Sequence, residues 1–310
     1  MKKIKETDYL FSTARVRSVE KYMLSREKAE KMIDAKTNDD ALRILFECNY
    51  NSGKVNDKIS PNDYDSLLSQ EHKRTYEFIT SIAPEEESFN IFLYPYDYHN
   101  LKVLMKSEYL DIDSSELLVD TGSIDLNTLK YAIKERDFSN LSENMSSAVS
   151  YIIEEFPKNK DPQLIDIILD KYLYDEMLKA SKKINNKFIN DYIVMQIDII
   201  NLKTYVRLKK MNKSWDFFTK VFIEGGKIPE QFFIKYYDET FEDFGDELFV
   251  YGYKETFLEG IEGLNESGKF TTLEKLFDNK IMEHVKSAKY ISYGIEPLVA
   301  YLIAKENEIK

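Results

Sequence analysis

The feature that most constrains this chain is a repeat far longer than any single helix or hairpin. Asp97-Tyr98-His99-Asn100-Leu101-Lys102 recurs 101 residues later as Asp198-Ile199-Ile200-Asn201-Leu202-Lys203. Downstream, Asp120-Thr121-Gly122-Ser123-Ile124 recurs 104 residues later as Glu224-Gly225-Gly226-Lys227-Ile228. The order of acid-bearing helix, glycine turn, then more helices therefore occurs twice at nearly equal length. A third copy begins where Leu169-Asp170-Lys171, with Leu173 and Asp175, is matched 108 residues on by Phe277-Asp278-Asn279, with Ile281 and Glu283. Glu308 then falls in the place of Asp97 and Asp198. The sequence stops before the next Asn-Leu pair, and no Gly, Asn or Pro closes this last helix. The third copy is expected to be incomplete, with the natural chain either continuing or cut here.

Self-similarity at a fixed period means stacked or circularly arranged units. Three sequential units predict an all-α fold of three similar helical domains in a pseudo-threefold arrangement, at 1–111, 112–212 and 213–310. Common helical solenoids repeat at roughly 34–47 residues, which argues against a generic helical-repeat scaffold, the competing reading. Leu101 and Leu202 are expected in the core. Asn100 and Asn201 are expected to be satisfied polar groups in a helix-packing seam.

The remaining pattern is helical. Gly and Pro are scarce, at 10 and 7 in 310 residues, which disfavours a turn-rich β architecture. Apolar residues at spacings of three and four cover residues 9–35, and Asp39-Asp40 is expected to cap a helix holding Leu42, Leu45 and Phe46. Breaks are expected at Asn51-Ser52-Gly53, Pro61-Asn62-Asp63 and Ala83-Pro84. A long helix is predicted over 89–110 around Pro95. Residues 161–211 read as helix from an Asp161-Pro162 start, punctuated only by Asn185-Asn186. Residues 271–310 read as helix, and Leu248-Phe249-Val250-Tyr251 as a helix end. Trp215 and the stripes Phe217, Phe218, Phe222 and Phe232, Phe233, Tyr236, Tyr237 are expected to fill core, with part of the aromatic surplus available to a partner.

Composition narrows the function. Against 43 basic residues stand 55 acidic ones, a net charge of −12, which disfavours non-specific nucleic-acid binding. The single cysteine, Cys48, cannot form an internal disulfide, fits a reducing compartment, and reads as buried filler. Met1-Lys2-Lys3-Ile4-Lys5-Glu6 is charged with no following apolar run, so no signal peptide is expected. No uninterrupted run of about 18 apolar residues is present, so no membrane insertion is expected.

Strings that resemble catalytic motifs fail on particular residues. Gly263-Leu264-Asn265-Glu266-Ser267-Gly268-Lys269 has phosphate-loop spacing, but Phe270 stands where Ser or Thr should bind magnesium, and helix rather than strand precedes it. It reads as a glycine-rich link between helices. Asp243-Phe244-Gly245 lacks the other kinase motifs. His72, His99 and His284 are scattered, without the convergence a zinc site needs. Glu85-Glu86-Glu87 and Glu154-Glu155 read as solvated faces. An all-α hydrolase using carboxylates has no supporting spacing. No catalytic, cofactor-binding or metal-binding residue is expected.

Tyr9-x-x-x-x-Ala14-Arg15-Val16-Arg17, the Asp-x-x-Asn-Leu-Lys repeats, Gly226-Lys227-Ile228-Pro229 and the ending Gly294-Ile295-Glu296-Pro297-Leu298-Val299-Ala300-Tyr301-Leu302-Ile303-Ala304-Lys305-Glu306-Asn307-Glu308-Ile309 resemble the C subunit of V/A-type ATP synthases, related to the d subunit of the eukaryotic V-ATPase. The resemblance spans essentially the whole chain, and the ending is its most specific part. It implies a cup or funnel of three helical domains, a non-catalytic connector of the central stalk without cofactor. It implies that one end receives the D and F subunits of the rotor shaft and the other sits on the cytoplasmic loops of the membrane proteolipid ring. The chain would then be peripheral on the cytoplasmic face, with proton or sodium selection made in the ring. Asp120, Glu224 and Lys227, near the repeat loops, have the polar character a partner surface needs.

Overall fold

The structure, a computed structural model, describes residues 4–50 and 64–309. The breaks expected at Asn51-Ser52-Gly53 and Pro61-Asn62-Asp63, and the first three residues, lie outside the described residues. The chain divides into two units, one of residues 1–89 and 285–310, the other of residues 90–284.

The first unit opens with α1 (Leu10–Val19), α2 (Arg26–Ile33), α3 (Asn38–Glu47) and α4 (Tyr64–Ile82). The second unit holds α5 (Tyr94–Leu110), α6 (Leu126–Glu135), α7 (Glu143–Asn159), α8 (Gln163–Ile184), α9 (Lys187–Lys210), α10 (Trp215–Val221), α11 (Glu230–Lys235), α12 (Phe241–Glu247), α13 (Lys254–Ser267) and α14 (Thr271–Ser287), whose last turn crosses the boundary. The chain then returns to the first unit with α15 (Glu296–Ile309). Short 3₁₀ turns link several of these, and no strand occurs among the described residues. The all-α expectation holds.

Helix ends follow their capping chemistry. The side chains of Ser25, Thr37, Asp125, Ser142, Asn186 and Thr240 each accept a backbone N–H of the first turn of α2, α3, α6, α7, α9 and α12, worth about 1 kcal/mol apiece. For α3 the cap is Thr37, and Asp39 and Asp40 lie inside the first turn. The helix expected over 89–110 begins only at Tyr94, after a 3₁₀ segment over 86–92. Pro95 therefore sits in the first turn, where its missing N–H costs nothing. Leu248–Tyr251 forms a 3₁₀ turn after α12.

In the first unit α15 packs on α1 and α4. The Phe78 and Tyr301 rings meet edge to face at 6.1 Å. Burial pushes the Tyr301 hydroxyl up to about 12. Leu42, Leu45, Phe46, Cys48, Tyr50 and Leu67 form a core under α2–α4, and Cys48 is buried as expected. The second unit packs α8 on α5, α7 and α9. Its far half is organised around Tyr205. That ring contacts Phe218, Phe233, Tyr237, Phe241 and Phe244, and its hydroxyl donates to the Tyr236 carbonyl at 3.1 Å. The aromatic stripes thus fill core. Trp215 does not: as the first residue of α10 it is 45% exposed.

Candidate functional site

The repeated Asp-x-x-Asn motif is a clamp on the loop that follows its helix. Asp97, on α5, is wholly buried. Its carboxylate accepts the Ser123 N–H at 3.0 Å, the Ser123 hydroxyl at 2.5 Å and the Ile124 N–H at 3.1 Å. One turn along, Asn100 donates to the Val119 carbonyl at 2.8 Å and accepts the Val119 N–H at 2.9 Å. Gly122 is what lets the loop approach, since a Cβ there would lie 2.0 Å from Asp97 Oδ1. Burial raises the Asp97 pKa, and the bonds from Ser123 and Ile124 pull against that rise.

The second copy repeats the arrangement. Asp198, on α9, accepts the Ile228 N–H at 3.0 Å and the Tyr253 hydroxyl at 3.1 Å. Asn201 donates to the Ile223 carbonyl at 2.7 Å and accepts its N–H at 3.0 Å. A Cβ on Gly226 would lie 2.3 Å from Asp198 Oδ1. Burial again raises the acid's pKa, opposed by the bonds from Ile228 and Tyr253. Both asparagines are satisfied, as expected, but by loop peptide groups rather than by a neighbouring helix in a packing seam.

Glu308, the acid that spacing puts in the third place, makes the matching contacts in the first unit. It accepts the Leu24 N–H at 2.7 Å and the Tyr50 hydroxyl at 2.9 Å. Lys305 lies 2.5 Å from the same carboxylate and stands 3.9 Å over the Tyr50 ring. In all three places the residue gripped by the acid immediately precedes a helix cap: Ile124 before Asp125, Ile228 before Pro229, Leu24 before Ser25. The two tyrosines also correspond. Tyr253 follows Gly252 at φ 78° and Tyr50 follows Asn49 at φ 65°. Sequence reading missed this pair, although Leu45-Phe46-x-x-Asn49-Tyr50 and Leu248-Phe249-x-x-Gly252-Tyr253 carry the signal.

What these acids can do is hold loops in place. The lone pairs of Asp97 and Asp198 are spent on peptide and hydroxyl donors, in positions without solvent access. The loops they hold face outward, and Asp120, Glu224 and Lys227 are all exposed on them. The motif-like strings lie elsewhere. Gly263 falls inside α13 and Gly268 ends that helix at φ 68°, so most of the stretch expected as a glycine-rich link between helices is the helix itself and its cap. Asp243-Phe244-Gly245 is a stretch of α12 in which Phe244 joins the core and Asp243 takes the Thr240 hydroxyl at 2.7 Å. His72 meets Glu306 at 3.2 Å, His99 meets the Leu117 carbonyl at 2.8 Å, and His284 meets the Phe188 carbonyl at 2.9 Å. Among the described residues no three His, Cys, Asp or Glu side chains converge as metal ligands, and no helix is long and apolar enough to cross a membrane.

Known proteins resemble the chain over much of its length. The chain is 27% identical over 295 residues to the C subunit of the V-type sodium ATPase of Enterococcus hirae, covering 95% of this chain and 89% of that protein. It is 27% identical over 265 residues to the C subunit of the A-type ATP synthase of Methanobrevibacter smithii, covering 79% and 68%. It is 22% identical over 232 residues to the C subunit of the V-type ATP synthase of Thermus thermophilus, covering 72% and 69%. The family model described as ATP synthase (C/AC39) subunit matches residues 12–310. With nearly every residue inside that match, the chain belongs to the ATP synthase (C/AC39) subunit family.

Proposed function

We propose that this chain is the non-catalytic central-stalk connector of a V/A-type rotary ATPase, joining the shaft formed by the D and F subunits to the membrane proteolipid ring. The observation that carries the reading is the family match over residues 12–310, combined with a molecule whose most regular polar chemistry serves to fix loops. A torque-bearing connector needs exposed partner loops that do not yield under load. Buried carboxylate clamps supply that stiffness, because releasing a loop strands charge and peptide groups without partners. The same reading takes the chain as three helical units about a pseudo-threefold axis, lining a cup for the shaft tip. The acid clamps at Asp97, Asp198 and Glu308 support it. The chain then sits peripherally on the cytoplasmic face, held by its protein partners, and the ring selects proton or sodium.

The test is reconstitution. The purified chain is expected to bind a D–F subcomplex and the detergent-solubilised ring while hydrolysing no ATP itself. Adding it to the remaining subunits is expected to join hydrolysis to ion transport. Failure of the complete chain to bind either partner would falsify the reading.

A further inference from the structure

The third clamp is built differently from the other two. Asp97 and Asp198 take their hydrogen bonds from peptide and hydroxyl groups. One turn back from each acid stands an uncharged residue, Tyr94 or Met195. One turn back from Glu308 stands Lys305, which is 2% exposed. Its ammonium lies 2.5 Å from Glu308 and 3.4 Å from Glu71 of α4, whose side chains are 6% and 2% exposed. Glu71 Oε1 also takes Arg74 at 2.9 Å, but its Oε2 accepts no hydrogen bond. His72 of α4 and Glu306 of α15 add a second ionisable pair across the same seam, at 3.2 Å.

This seam is weakened in three ways. Charges taken out of water lose hydration that their mutual attraction only partly returns. A buried carboxylate oxygen without a donor adds to that loss. A cavity of about 210 Å³ lies between α1, α4 and α15, and Val19, Thr75, Phe78 and Tyr301 on its wall meet fewer atoms than a closed core would give them. What holds α15 down is its apolar side, where Leu298, Val299, Leu302 and Ile303 are buried. The ionic part is all-or-none. Moving one partner away strands the others as buried charges, which is strongly unfavourable. Lifting the whole helix returns Glu71, Lys305 and Glu308 to water together.

We propose that α15 is a releasable strap, which leaves its seat on α1 and α4 as one body and opens the first unit while the second stays folded. The strap is stiff while seated, because partial movements strand charge. It has an accessible open state, because complete release relieves the seam.

Native-state hydrogen exchange of the full chain, followed through low concentrations of urea, tests the strap. The amides of Val299, Leu302 and Ile303 are expected to exchange about tenfold faster than the buried amides of α9, through an opening that urea accelerates. Fraying of a helix end would not respond to urea. Two variants should act with opposite signs. Lys305→Met alone leaves Glu71 and Glu308 buried without their cation, and should speed α15 exchange about tenfold. Lys305→Met with Glu71→Leu leaves Glu308 with Leu24 and Tyr50, a peptide N–H and a tyrosine hydroxyl like those on Asp198. That double variant should slow α15 exchange about tenfold relative to wild type. Exchange in α9 should be unchanged in both. Wild-type α15 amides as well protected as those of α9, or α15 exchange indifferent to urea, overturn the proposal without recourse to either variant. A folded double variant whose α15 exchanges faster than wild type overturns it as well.

Discussion

Asp97 and Asp198 hold ionisable groups where water does not reach, and the two glycines beside them follow from that choice. A carboxylate that accepts peptide N–H groups must come close to the backbone, and a Cβ at position 122 or 226 would enter its oxygen shell. Gly122→Ala and Gly226→Ala should each cost about 1–3 kcal/mol by urea unfolding, the usual penalty for overpacking. Gly268 is a useful contrast. It has φ 68° and open space at its Cβ, so Gly268→Ala should cost only about 1 kcal/mol, from backbone strain alone. Equal losses at 226 and 268 would mean that contact with the acid is not what selects glycine. The pKa shifts give a second prediction. Burial raises the Asp198 pKa above its unfolded value near 3.8, so the folded state holds this proton more tightly than the unfolded state. The stabilisation from that group is complete below the unfolded pKa and is lost as pH rises through the folded one. An asparagine in its place cannot titrate. The stability of wild type relative to Asp198→Asn should therefore be greatest below about pH 3.8 and decline as pH rises through the folded pKa. An advantage that grew with pH would reverse the assignment.

At the scale of helices, the repeat spacing is also an ion-pair ladder. Lys102 and Lys106 on α5 pair with Asp170 and Asp166 on α8, at 2.6 and 2.7 Å. Lys203 and Arg207 on α9 pair with Asp278 and Glu274 on α14 in the same order. Shifts of 101 and 108 residues carry one set onto the other, so this pairing was legible once the repeats were aligned. Its energy is modest, because these pairs keep one or both side chains partly in solvent. Lys203→Ala should cost under about 1 kcal/mol. Asn201→Ala, on the same turn of α9, should cost about 2–3 kcal/mol by leaving the Ile223 N–H and carbonyl without partners. A chemical-denaturation series that reversed this order would place the clamp's strength in its surface charges. Other element-level features were harder to read. The periodic signal of a core helix extends through Pro95 in both directions, and only the proline's geometry decides that it opens the helix. Trp215 reads as core by size, yet the first turn of a short helix has one face in solvent. The short helices α10–α12 pack aromatic residues so densely that no clean stripe marks their ends.

For the whole molecule, the least legible fact is that the chain returns to its own beginning. Read along the sequence, the third acid falls on α15 and lacks its loop. In the first unit the donors to Glu308 are Leu24 and Tyr50, which follow it in the repeat's logic but precede it by more than 250 residues in the chain. Periodicity compares a segment only with what comes after it, so the correspondence of Tyr50 with Tyr253 stayed hidden. Such closure has a thermodynamic consequence. If α15 supplies the acid, the lysine and the packing face on which α1 and α4 rest, the first unit should open as one cooperative body when that helix is absent. A chain ended before Glu296 should lose hydrogen-exchange protection across α1, α3 and α4 together, while α5 to α13 keep theirs. Glu308→Gln tests the same point without deletion. The neutral amide keeps one acceptor for Leu24 but brings an N–H₂ group beside Lys305 and the Tyr50 hydroxyl. A loss of about 1–3 kcal/mol is expected, confined to the exchange of the first unit. Protection that fell only near residue 308, with α3 and α4 unchanged, would show that the chain's start folds without its end and that the clamp is local.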